Sequence, residues 1–187
     1  MSKYLYHEAF SRSASKIRSN GFKSSESQTA TPSTADNMYI PSQNAGFKLS
    51  GEYFKIVNFL LDEFRPESKY PPRSPSIWFY NYEPETPPLE RDTCLVCSAE
   101  EIFSYTSEPL VGIPFDIAEE LFLGELHDHF TAYEGVSKEK LQKSIESYWD
   151  SAQVINSPTH IPTDQLYEVY ISKDQLPTSV IESSHPF

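Results

Sequence analysis

The side chain with the clearest chemical setting in this chain is Glu168, in the run Leu166-Tyr167-Glu168-Val169-Tyr170-Ile171. Tyr167 to Ile171 have the aromatic and β-branched composition of a strand. Polar turn formers precede the run, and Lys173-Asp174 with Pro177 close it. Side chains alternate along a strand, so Tyr167, Val169 and Ile171 share one face, while Leu166, Glu168 and Tyr170 share the other. Val169 and Ile171 call for a core. Glu168 then stands on the opposite face, between two residues that could wall a cleft. A carboxylate held rigidly in such a place can act in catalysis. The same pattern also describes a strand with one face in water.

Other candidates lie earlier. Arg73-Ser74 follows Pro71-Pro72 at the entrance to Ser76-Ile77-Trp78-Phe79-Tyr80, which reads as a strand. A guanidinium beside a hydroxyl suits a diphosphate or a carboxylate. It equally suits the tying down of a proline-rich loop. Cys94 and Cys97 sit in the strand-like Thr93-Cys94-Leu95-Val96-Cys97, where their spacing puts the thiols on opposite faces. A lone CxxC is a weak metal signal, and both read as ordinary reduced cysteines. His127 and His129 diverge on a helix and, with Asp128, make no metal face. Phosphate-binding glycine loops, HExxH, GxSxG and EF-hand patterns are missing.

The elements that must position these groups are readable in order. Lys3–His7 is a short strand with Leu5 inward. Arg12–Ser19 is a short helix, with Ser11 or Ser13 as its cap and Asn20-Gly21 as its stop. Residues from about 24 to 46 form a polar, flexible loop rich in Ser, Thr and Pro. Leu49–Phe64 has helical apolar spacing and ends at Arg65-Pro66. Thr93–Ser98 is a strand, and Ser98 caps a helical turn over Ala99–Phe103. Asp116–Phe130 and Ser137–Ala152 are amphipathic helices. Strands and helices do not alternate strictly, which argues against a doubly wound parallel sheet.

At 187 residues the chain suits one domain. Its 12 Tyr and 12 Phe argue against disorder, and 15 Pro against 6 Gly suggest a loop-rich fold. A net charge of −12 opposes non-specific nucleic-acid binding and leaves a nucleic-acid mimic as a rival. The start, Met1-Ser2-Lys3-Tyr4, has no apolar run of the secretory kind, and no stretch is long enough to span a membrane. The expectation is a cytoplasmic protein.

Taken together, several pieces resemble one family. Leu5-Tyr6-His7, the helix over Ala14–Arg18 and Asn20-Gly21-Phe22 resemble the opening of ADP-ribosyltransferases of the diphtheria-toxin and poly(ADP-ribose)-polymerase type. Ser76-Ile77-Trp78-Phe79-Tyr80 is similar to that family's second strand. Leu166-Tyr167-Glu168-Val169-Tyr170-Ile171, followed by Asp174-Gln175-Leu176, is similar to its third motif. The lead-in Arg65-Pro66, with Pro72-Arg73-Ser74 and Ser76, also resembles a pattern of small bacterial and phage proteins assigned to this fold. It departs from the pattern at Glu8, where the family often has a small residue. It departs again at Leu166, where a Gln or Glu often selects an arginine acceptor.

The resemblance implies an α+β domain over 1–187, with two small, mostly antiparallel sheets forming a cleft flanked by helices. It implies NAD as the substrate and transfer of ADP-ribose to a protein or nucleic-acid acceptor, in a toxin, phage or defence setting. Glu168 would hold a ribose hydroxyl and stabilise the oxocarbenium-like state. His7, with Tyr6 beside it, would orient the dinucleotide. Tyr80 or Tyr82 would stack on nicotinamide, and Arg73 with Ser74 would contact the diphosphate. The resemblance predicts that the side chains of His7, Glu168 and one of Tyr80 or Tyr82 converge on one cleft, and the carry-over to His7 fails if His7 and Glu168 lie on opposite sides of the fold. The alternative is a non-enzymatic acidic interaction protein or inhibitor, for instance a degenerate relative.

Overall fold

The structure, a computed structural model, describes residues 3–24, 60–73, 75–83, 91–123 and 138–187. The expected loop at 24–46, most of the helix expected over Leu49–Phe64, Ser74, and His127 to His129 lie outside the described residues, apart from Ser24 and the helical turn at 60–63.

The chain opens with β1 (Tyr4–Ala9), α1 (Ser11–Asn20) and β2 (Phe22–Lys23). After β3 (Ile77–Tyr80) come β4 (Thr93–Ser98), α2 (Ala99–Ser104), β5 (Leu110–Pro114) and α3 (Phe115–Leu123). The last third holds α4 (Lys138–Ser151), β6 (Gln153–Ile155), β7 (Tyr167–Ile171), β8 (Gln175–Leu176) and β9 (Ile181–Pro186). One antiparallel sheet of seven strands runs in the order β6-β5-β7-β3-β1-β4-β9, and β2 pairs with β8 in a second, two-stranded sheet. The α+β class holds. Two antiparallel sheets are present, as expected, but only the second is small, because β1 carries pairing on both edges, to β3 and to β4, and so joins seven strands into one sheet.

Local sequence explains much of this. The N–H of Gly21 bonds to the Ile17 carbonyl at 2.8 Å and ends α1, with Gly21 at φ +79. A Cβ there would lie 2.2 Å from the Leu176 carbonyl oxygen, so the turn into β2 needs glycine. The start of α1 differs from expectation: neither Ser11 nor Ser13 caps it. The Ser11 N–H donates instead to Asp92 Oδ1 at 2.6 Å, a carboxylate supplied from just before β4. α2 starts as expected, with the Glu101 N–H donating to Ser98 Oγ. β5 is apolar and buried along its whole length, so it has no alternation to betray it.

Both faces of the sheet are covered at β5 and β7. On one face Leu5, Ile77, Phe79, Leu95, Val169 and Ile171 pack with Ala14 of α1, Ile102 of α2 and Phe22. On the other, Val111, Ile113 and Tyr170 pack with Ala118 and Leu121 of α3 and with Ile145, Tyr148 and Trp149 of α4. Central strands buried this way draw most of their stability from apolar burial, about 1.5–3 kcal/mol per large side chain. No helix among the described residues is long and apolar enough to cross a membrane.

Candidate functional site

Glu168 sits in the middle of this sheet. It pairs with Tyr80 on β3 and with Ile113 on β5. Tyr80 in turn pairs with Tyr6, Tyr6 with Val96, and Val96 with Ser183. Residues directly opposite in antiparallel pairs share a face. A single row, Ile113-Glu168-Tyr80-Tyr6-Val96-Ser183, therefore crosses the sheet on the face that α3 and α4 cover near β5 and β7.

That face is not the solvated side of an edge strand. Tyr170, two residues on, is fully buried, and Glu168 itself is half-buried. Burial pushes the Glu168 carboxyl up to about 7, against the opposing pull of the Arg73 charge. The carboxyl thus holds its proton to higher pH than an ordinary glutamate does, the direction that suits a group that exchanges a proton near neutral pH.

Arg73 is buried beside it. Its guanidinium carbon lies 4.6 Å from the centre of the Trp78 ring and 5.3 Å from that of Tyr148. These aromatic faces hold the cation in place. Two hydrogen bonds fix the approach of this segment: the Arg73 N–H donates to Asp62 Oδ1 at 2.8 Å, and the Tyr170 hydroxyl donates to the Pro71 carbonyl at 2.8 Å. Trp78 leans on Tyr170 with ring centres 4.9 Å apart. The proline-rich lead-in is thereby pinned to β7, as the loop-tying reading of Arg73 expects.

Tyr80 is buried, with its ring edge-on to Phe115 at 6.0 Å. Burial raises its phenol far above the usual range, and the charges of Glu168 and Glu8 raise it further. Tyr148 is likewise pushed up by burial; the Arg73 charge pulls it down and the Glu168 charge raises it. Tyr6 is half-buried, with its phenol raised by burial first and then by the Glu83 charge. Of the two tyrosines expected to stack on a ring, Tyr82 is the exposed one, just beyond β3.

His7 is placed differently. It pairs with Leu95, whose side chain belongs to the opposite core. Its ring meets Phe22 edge-on at 5.0 Å and Phe79 at 6.0 Å. Nδ1 lies 2.7 Å from the Trp78 carbonyl oxygen, which can only accept, so Nδ1 carries the proton and Nε2 is the acceptor. Burial lowers its pKa, and the Arg91 charge lowers it further. The expected convergence of His7, Glu168 and a tyrosine is corrected: alternation along β1 sends Tyr6 to the Glu168 face and His7 to the other.

Two positioning residues carried no sequence signal of this role. Asn81 follows β3 directly and is buried; its Nδ2 donates to the carbonyls of Pro162 at 3.0 Å and Gln165 at 2.8 Å. Its Oδ1 accepts from the Tyr167 N–H at 2.7 Å. It locks the end of β3 to the start of β7 and so sets Glu168 against Tyr80. Tyr148 reads in sequence only as one of the apolar positions of an amphipathic helix.

No family model, curated protein or solved structure matches this chain.

Proposed function

We propose that the protein transfers ADP-ribose from NAD to a macromolecular acceptor, with Glu168 as the residue that acts at the ribose. One observation carries this reading. The three strands holding the similar motifs are far apart in the chain, at Tyr4–Ala9, Ile77–Tyr80 and Tyr167–Ile171, yet they are consecutive neighbours at the heart of the sheet. Glu168 lies directly beside Tyr80, and Tyr80 directly beside Tyr6.

In this reading the nicotinamide–ribose bond breaks and neutral nicotinamide leaves with the bonding pair. Positive charge then develops at the ribose carbon. Ionised Glu168 holds a ribose hydroxyl and stabilises that charge. The acceptor's nucleophile adds there and gives up its proton. Arg73 offers a fixed cation to the diphosphate side, and Tyr82 an exposed ring for nicotinamide. His7 supports the β1–β3 pair from behind rather than touching the dinucleotide. The acceptor and the setting, toxin, phage or defence, follow from the resemblance alone.

The second reading, a non-enzymatic acidic interaction protein, is favoured by His7 facing away from Glu168. One experiment separates them. Wild-type protein and Glu168→Gln are incubated with NAD labelled in its adenylate half and with cell extract. Label on macromolecules and free nicotinamide, both lost in Glu168→Gln, support transfer. If wild type releases no nicotinamide and NAD produces no thermal shift, the enzymatic reading is overturned.

A further inference from the structure

On the same face of the sheet, two strands from Tyr80, a different cluster stands at the β4–β9 edge. We propose that Glu83, Cys94 and His185 form a binding site for a divalent cation of the zinc class. Cys94 and His185 are direct partners across β4 and β9, so the ladder itself presents the thiol and the imidazole side by side. Glu83, three residues beyond β3, brings its Oε1 to within 2.6 Å of His185 Nε2. The ligand atoms of all three residues lie within 4.8 Å of one another.

A tetrahedral zinc ion holds sulfur at about 2.3 Å and nitrogen or oxygen at about 2.0–2.2 Å, so its ligand atoms stand roughly 3.3–3.8 Å apart. The cluster reaches that spacing if the Glu83–His185 pair opens by about 1 Å and both groups settle on the Cys94 sulfur, which lies within 4.8 Å of each. Binding exchanges the Cys94 thiol proton for the metal. The thiolate, the carboxylate and neutral imidazole then balance the charge of the dication. Buried Glu8 pairs with Cys94 from the other side, on β1, and adds negative potential at the same place. A thiolate with an imidazole selects zinc, or cobalt as its probe, over magnesium and calcium, which prefer all-oxygen shells. Three protein ligands leave a fourth position for water or a substrate oxygen. Cys97 takes no part, because it lies in the opposite core.

The site joins the segment after β3 to β9 through β4. Its test does not depend on NAD. The full chain is titrated with Co(II) under reducing conditions. One equivalent is expected to bind, with a thiolate-to-cobalt charge-transfer band that zinc displaces, and zinc is expected to raise the melting temperature. Cys94→Ser abolishes the band, while Cys97→Ser keeps it. Should Cys94→Ser fail to fold, His185→Gln on the half-exposed edge strand decides, with affinity reduced roughly tenfold or more. Absence of the band in the native protein, its persistence in Cys94→Ser, or unchanged affinity in His185→Gln overturns the proposal.

Discussion

His7 and Glu168 stand on strands separated only by β3, yet their side chains leave opposite faces of one sheet. His7 packs against Phe22 and Phe79, whereas Glu168 lies in register with Tyr80 and close to Arg73. Adjacency in the sheet and convergence on a site are therefore separate matters, decided by the parity of a residue along its strand.

Glu168→Gln is expected to change the pH profile of stability. The native carboxyl is raised from 4.5 to about 7, so the folded state binds its proton more tightly than the unfolded chain does. The contribution is fully present below pH 4.5, falls as pH rises toward 7, and is gone above it. The full shift corresponds to roughly 3 kcal/mol, reduced in practice by the water that reaches the half-covered group. Glu168→Gln should match wild type at acid pH and be the more stable of the two at pH 8. Urea unfolding at both pH values checks this; equal destabilisation at both would show that the carboxyl does not titrate in this window.

Removing Arg73 takes away a buried cation and its stacking between Trp78 and Tyr148. Arg73→Met should destabilise the fold by about 2–4 kcal/mol and raise the Glu168 pKa further. Arg73→Lys restores charge without the planar stack, so it should recover the Glu168 titration better than the stability. Carbon-detected NMR titration of Glu168, alongside denaturation curves, distinguishes the two effects.

His7→Ala should cost about 1–3 kcal/mol, through lost ring contacts and a Trp78 carbonyl left without its donor. The Glu168 titration should stay where it is, because the substitution acts on the other face. The lowered pKa of His7 has the opposite sign of linkage to Glu168: its contribution is present above about pH 6.5 and is lost as pH falls toward the folded-state value. A movement of the Glu168 carboxyl resonance in His7→Ala would contradict the assignment of faces.

Asn81→Asp keeps the acceptor for the Tyr167 N–H but removes both donated bonds, to Pro162 and Gln165. A loss of about 2–4 kcal/mol is expected, since a buried carboxylate would face two carbonyls. Hydrogen exchange should rise first at Tyr167 and Glu168. If protection of β7 is unchanged, Asn81 does not set the β3–β7 register.

Much of the fold was legible because local rules were sufficient. Thr93–Ser98, the Ser98 cap, the Gly21 stop and the helix ending near Ala152 are set by neighbours within a few residues. The opposite placement of Cys94 and Cys97 followed from alternation. β5 escaped notice because a strand buried on both faces shows no period, and β9 because its Glu-Ser-Ser-His composition is that of a loop until a neighbouring strand supplies its hydrogen bonds.

By itself the sequence determined which residues alternate, where several of the strands and helices lie, and that Glu168 and Arg73 were worth following. Only the tertiary structure decided what each face meets. It put Arg73 against Trp78 and Tyr148, raised the Glu168 pKa by partly burying the carboxyl, and turned His7 away. It also set Glu83, Cys94 and His185 together from three distant segments. The physical reason is that periodicity fixes relative direction within an element, whereas burial and charge pairing arise between elements brought together by hydrophobic packing.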